Sequence, residues 1–187
     1  MKKMMCLLLS TLCFGVAGCS STSPAEDSDA LALRKSEPIQ LFMTTCVVGR
    51  SDLPAVEQLA QKNGFQAAPS DAARHYLYGN PGKAWVLENE QGHYGLSLLA
   101  ANHLCSIFVH QGDPDDIQAS MEAWLPKKDS GYTFTKQIIS SSGDLRTTAY
   151  DIIQGPKIVE RWVITINYSQ SSGLVAIMSY TGAEASS

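Results

Sequence analysis

A two-layer α+β domain, with a mostly antiparallel sheet of about seven strands and three helices packed on it, follows from three observations. Two short segments at the start of the folded part carry apolar residues at helical spacing and meet a glycine. From Lys83 onward the chain turns to β-branched and aromatic runs separated by Gly, Asn, Asp and Ser clusters. Between the third and fourth of those runs, residues 113–126 return to a 3.6-residue apolar period bounded by Asp-Pro and Pro.

The first helix is predicted over Ile39 to Val48, with Leu41, Phe42, Met43 and Cys46 buried and Gly49 in the C-capping position. Asp52 caps a second helix from Leu53 to Asn63, with Pro54 in its first turn, Val56, Leu59 and Ala60 on one face, and Gly64 closing it. Strands are predicted at Lys83 to Glu88, Tyr94 to Ala101 and His103 to His110, the first two joined by the turn Asn89-Glu90-Gln91-Gly92. In the third, Cys105, Ile107 and Val109 face one way while Leu104 and Phe108 face the other, so this strand is covered on both sides and central.

Asp113 caps the third helix with Pro114 at its first position; Ile117, Met121, Trp124 and Leu125 pack on the sheet and Pro126 ends it. Four further strands, Tyr132 to Ser140, Leu145 to Gln154, Ile158 to Tyr168 and Leu174 to Tyr180, are linked by hairpin signals. In the run from Ile158, residues Ile158, Trp162, Ile164, Ile166 and Tyr168 define the apolar face. A meander with one face under helices fits this pattern.

Ahead of the domain, Lys2 and Lys3, the apolar run Leu7 to Phe14 and Val16-Ala17-Gly18-Cys19 read as an export signal too short to remain as a membrane span. The segment resembles the lipobox of bacterial lipoproteins, in which cleavage precedes a cysteine that carries a diacylglycerol on sulfur. That resemblance implies a signal peptide over residues 1–18, lipidation at Cys19, and the lipid bilayer as the partner of its acyl chains. Ser20, read by the enterobacterial sorting rule, implies the periplasmic face of the outer membrane. An uncleaved anchor, or an ordinary cut at Ala17 or Gly18, is the alternative. Residues 19–38, rich in Ser, Asp and Glu, read as a tether that holds the domain, 39–182, about 25 Å from the bilayer, and 183–187 as a frayed tail.

Cys6 and Cys13 leave with the signal and Cys19 is acylated, so Cys46 and Cys105 remain to pair as a disulfide between the first helix and the central strand. A redox or metal role is the alternative, but neither cysteine belongs to a Cys-x-x-Cys pair or has a histidine at ligand spacing. The formal charge of -4 becomes -6 when Lys2 and Lys3 are removed. An acidic domain of this kind offers no electrostatic footprint for nucleic acid and lacks the basic face that would hold it against anionic lipid, while it leaves room for cationic partners.

No catalytic motif stands out: there is no Gly-x-Ser-x-Gly, His-Glu-x-x-His or phosphate-cradling loop. His103 and His110 lie seven apart in one strand and project to opposite faces, while His75 and His93 meet only through long-range geometry. Asp113, Asp115 and Asp116 suit a helix start better than a metal site, since the Asp-x-Asp-x-Asp-Gly spacing is missing. No cofactor or metal is therefore expected. Among the aromatics, Trp85 and Trp124 are assigned to the core; Tyr76 and Tyr78, placed in the loop between helix and sheet, are the candidates for contact with a protein partner.

Thr45-Cys46, Gly82-Lys83-Ala84-Trp85 and Leu104-Cys105-Ser106-Ile107-Phe108-Val109 resemble a family of short Gram-negative bacterial proteins, often lipoproteins, that carry a paired-cysteine α+β domain. The resemblance implies no activity. The expectation is a non-enzymatic, membrane-anchored lipoprotein that binds a protein or an envelope component. An immunity-type lipoprotein that neutralises a periplasm-delivered toxin is one alternative, and an envelope hydrolase with an unrecognised site is another.

Overall fold

The computed structural model describes residues 31–169 and 173–182. The expected signal peptide, Cys19, the first part of the tether and the tail lie outside those residues. Residues 31–34 form a helical turn. Helix α1, Glu37–Phe42, runs on through a π-helical turn, Met43–Val47. Thr44 and Thr45 donate their hydroxyls to the carbonyls of Gln40 and Leu41, four residues back, where the regular backbone ladder is interrupted. Helix α2 spans Leu53–Lys62, and the Asp52 side chain accepts from the Ala55 amide, as its position predicts.

The remaining elements are β1, Gln66–Ala67; α3, Ser70–Tyr76; β2, Gly82–Asn89; β3, Gly92–Leu99; β4, Cys105–Val109; α4, Pro114–Glu122; β5, Thr133–Ser142; β6, Leu145–Gln154; β7, Lys157–Asn167; and β8, Ala176–Gly182. All strands pair antiparallel in one sheet of order β1-β2-β3-β4-β8-β7-β6-β5. The expected α+β class and antiparallel sheet are present, with eight strands instead of about seven. The additions are the two-residue β1 and helix α3, where residues 65–82 carried no apolar period. Among the described residues, no helix is long and apolar enough to cross a membrane.

Two meanders, β1 to β4 and β5 to β8, meet at the β4–β8 pair, and α4 carries the chain from the middle of the sheet to its far edge. Helices α1, α2 and α4 cover one face. That face holds the main core, with Phe42 edge-on to Trp162 at 6.0 Å and Ile107, Ile164 and Met178 fully buried. On the other face α3 packs over β2 and β3 and encloses a smaller cluster of Tyr76, Leu77, Ala84 and Phe108. As expected, β4 is buried along its whole length, its odd residues in the main core and Phe108 in the small one.

Cys46 and Cys105 form the expected disulfide, with 5.4 Å between their Cα atoms, tying the π-helical turn to the first residue of β4. Gly49 is not a C-cap. It lies within the helix, where a Cβ would come within 2.8 Å of Val56, and Arg50 and Ser51 take the left-handed turn in its place. Ile158 is also displaced: a register shift between Ile152 and Ile153 moves it off the core face, leaves it exposed, and brings Val159 inward. Residues 31–36 are not free of the fold, because Arg34 lies over the Trp124 ring and bonds to the Ala123 carbonyl.

The disulfide closes a loop of 59 residues, and the chain-entropy relation gives such a bridge about 4 kcal/mol. Replacing Cys46 and Cys105 together by Ser should lower the urea-unfolding free energy by roughly that amount; a loss under about 1 kcal/mol would mean the bridge adds little to helix and strand packing.

Candidate functional site

The fold gathers three histidines and two tyrosines at one end of the second sheet face. Tyr94 pairs with Val109 across β3 and β4, and one further step along the same register brings His93 opposite His110, whose amide donates to the His93 carbonyl. Their rings stack with centroids 4.7 Å apart. Helix α3 supplies His75 and Tyr76 from its last turn, where the basic side chains Arg74 and His75 face the negative helix end.

Tyr76 is 5% exposed and not in a loop, which corrects its sequence assignment as a contact residue. It lies over Gly95, where any Cβ would fall 2.3 Å from the ring, and packs on Phe108 at 4.9 Å between centroids. Its hydroxyl meets His110 Nε2 at 3.1 Å. His110 Nδ1 meets the Gly173 carbonyl, which can only accept, so the proton resides on Nδ1 and Nε2 accepts from Tyr76. This arrangement ties α3, the end of β4 and the segment before β8 together through one neutral imidazole.

Burial pushes the Tyr76 hydroxyl up from its ordinary value, opposite to activation, and the hydroxyl is enclosed. For His110, burial lowers the pKa most; the Gly173 carbonyl opposes that, and the neighbouring His93 and His75 lower it further. Burial pushes the Tyr78 hydroxyl up as well, but this residue is placed differently. It follows the helix with φ 50° and stands 64% exposed, its ring 6.2 Å from Phe108. Gly79 at φ 74° and the Asn80 side chain on the Leu77 carbonyl close the turn beneath it.

The other sequence candidates fall into structural roles. Asp113 accepts from the amides of Asp115 and Asp116 as a helix cap. Among the described residues no three His, Cys, Asp or Glu side chains converge in a metal-holding group. Trp85 is buried, and Trp124 is half-buried with its ring nitrogen on the Arg34 carbonyl. His103 lies in the β3–β4 turn, away from the other three histidines.

A second polar cluster went unnoticed in the sequence. Glu122, at the end of α4, accepts from Tyr150 at 2.6 Å, Lys136 at 2.7 Å and Gln118 at 2.9 Å. Burial alone would raise the Glu122 pKa, but the hydrogen bonds from Lys136, Tyr150 and Gln118 outweigh it and hold the carboxylate below its ordinary range. This cluster clamps α4 onto β5 and β6 and is explained by that role.

An imidazole with a lowered folded-state pKa takes up its proton first in the unfolded chain, near pH 6.5. The stability that neutral His110 contributes is therefore present above that pH and lost as pH falls from it toward the lower folded value. Urea midpoints measured between pH 7.5 and 5 should fall more steeply for the wild type than for His110→Gln; parallel curves would refute the neutral clamp.

The chain matches no family model, no curated protein and no solved structure, so the geometry of this cluster carries the functional reading.

Proposed function

We propose that this chain is a non-enzymatic lipoprotein, anchored through acylated Cys19 on the periplasmic face of the outer membrane, whose domain binds a protein or envelope component. The single observation that carries the binding half of this reading is Tyr78. A bulky aromatic in the left-handed region costs about 1–3 kcal/mol, and this ring, 64% exposed, recovers only part of that by packing beside Phe108. The turn fixes its backbone, and its ring leans on Phe108, which restricts the freedom to be lost on contact. A rigid, exposed tyrosine above a satisfied polar cluster is the type of residue that anchors protein interfaces.

The anchoring half is supported by the charged start, apolar run and Val-Ala-Gly-Cys at residues 16–19. A protein with several acyl chains on one residue stays with membranes, so in a high-salt wash Cys19→Ala should move to the soluble fraction while the wild type does not; equal release of the two forms would remove the anchor.

Tyr78→Gly separates binding from stability. Glycine relieves the left-handed strain, so the melting temperature should hold or rise. Crosslinked capture of the partner from membranes should fall about ten-fold or more. Undiminished capture would show that Tyr78 is not the contact.

A further inference from the structure

Of the ten large apolar side chains exposed among the described residues, four lie on β5 or just before it. Phe134, Ile138 and Ile139 on β5 are 41%, 59% and 53% exposed, and Tyr132 just before them is 41% exposed. β5 is the last strand of the sheet, and every one of its residues is exposed. Of the devices that usually protect an edge, β5 has a register shift between Ile138 and Ser140 but no proline, and its only charge, Lys136, is bonded to Glu122.

The first described residues lie across the helix face, with Ser36 on Ser120 of α4 and Glu37 accepting from Asn89 at the end of β2, and only Arg34 reaches toward this edge. Arg34 lies over Trp124 and bonds to Ala123, next to the Glu122 that holds Lys136 of β5. Lys127 and Lys128, both exposed, follow at once, with Asp129 as the one acid between them and β5. The acidic balance of the whole sequence hides an uneven distribution within the domain, although Glu26, Asp27 and Asp29 add three negative charges to the tether ahead of it. Residues 31–126 carry six basic and ten acidic side chains, a net -4, whereas residues 127–182 carry six basic and four acidic, a net +2.

We infer that β5, with Lys127 and Lys128 beside it, is the membrane-facing side of the domain and lies on a phospholipid surface rich in anionic headgroups. The inference rests on the anchoring of Cys19. Eleven residues separate Cys19 from Leu31, a span of at most about 40 Å, so the anchor keeps the domain within reach of the bilayer, and the exposed apolar side chains with the two lysines select the β5 edge. The lysines meet the lipid phosphates, and Phe134, Ile138 and Ile139 enter the interface between headgroups and acyl chains. The outer N–H and C=O groups of β5 stay at the hydrated headgroup level, because unpaired backbone is not tolerated in hydrocarbon. Tyr78, over β4, lies four strand spacings or about 20 Å away across the sheet, and so faces the aqueous side.

The test uses the full chain, purified with its own leader processing and reconstituted in phosphatidylethanolamine vesicles with or without phosphatidylglycerol. Hydrogen exchange of residues 127–142 should slow on the anionic vesicles and not on the neutral ones, and added salt should remove the difference. In a Lys127→Gln, Lys128→Gln double variant the docking equilibrium should weaken by about thirty-fold, while exchange in α2 and α3 stays at wild-type rates and shows that the variant is folded. Equal exchange on both vesicle types, or an undiminished anionic effect in the double variant, would overturn the docking face. Intact mass judges the anchor separately: a protein without acyl chains refutes the anchor, and its flotation with anionic but not neutral vesicles would still uphold the docking face.

Discussion

Everything in this domain depends on β4 having a place on both sides and both faces. It is the seam at which the two meanders join, pairing with β3 through one edge and β8 through the other. Five residues have to satisfy two ladders and two cores, and all five are buried. A strand so short has little hydrogen bonding of its own to resist fraying, so the disulfide at its first residue and the His110 clamp just past its last residue hold the two ends. Between them, Ser106 bonds to Ser179 of β8 at 2.8 Å, a polar pair that fits only if this register is kept.

The two faces are unequal for the same reason. Three helices descend on the first face, where residues such as Leu96, Ile107, Met178 and Ile164 form a continuous apolar row across the strands. The second face carries smaller or polar residues along β6, β7 and β8, with Thr147 bonded to Thr165 and Arg161 to Asp151. Those side chains satisfy each other at the surface and do not need a covering layer. Only at β2 to β4, where Ala84, Gly95 and Phe108 leave room for an aromatic ring, does a helix close over this face, and that is where the histidines gather.

Much of this was legible before any coordinates. The seven longer strands, both proline-started helices with aspartate caps, the two-sided burial of β4 and the cysteine pair are all written in local patterns of period and capping. Helix α3 was not, because Ser-Asp-Ala-Ala-Arg-His-Tyr has small or polar residues where an apolar stripe would show, and its burial depends on the gap at Gly95. Tyr76 was misplaced with it. The histidine cluster had a faint signal: once the β3–β4 turn is set, His93 and His110 have to be cross-strand neighbours, but the arrival of His75 is purely tertiary. Ile158 followed strict alternation on paper, and one bulge reversed it.

Backbone strain distinguishes Tyr78 from every other departure of this kind. Among the described residues five that are not glycine have positive φ: Arg50, Ser51, Tyr78, His103 and Asp129. Arg50 and Ser51 turn the chain because Gly49 is needed inside the helix against Val56. Histidine and aspartate populate this region readily, since short polar side chains bond locally. Tyrosine has no such compensation, and the next residue, Gly79, shows that glycine is tolerated in the same turn. Folding alone would favour Gly or Asn at position 78. A ring held outward there lowers stability and enlarges exposed aromatic surface at once, two costs for which the proposed contact with a partner would account.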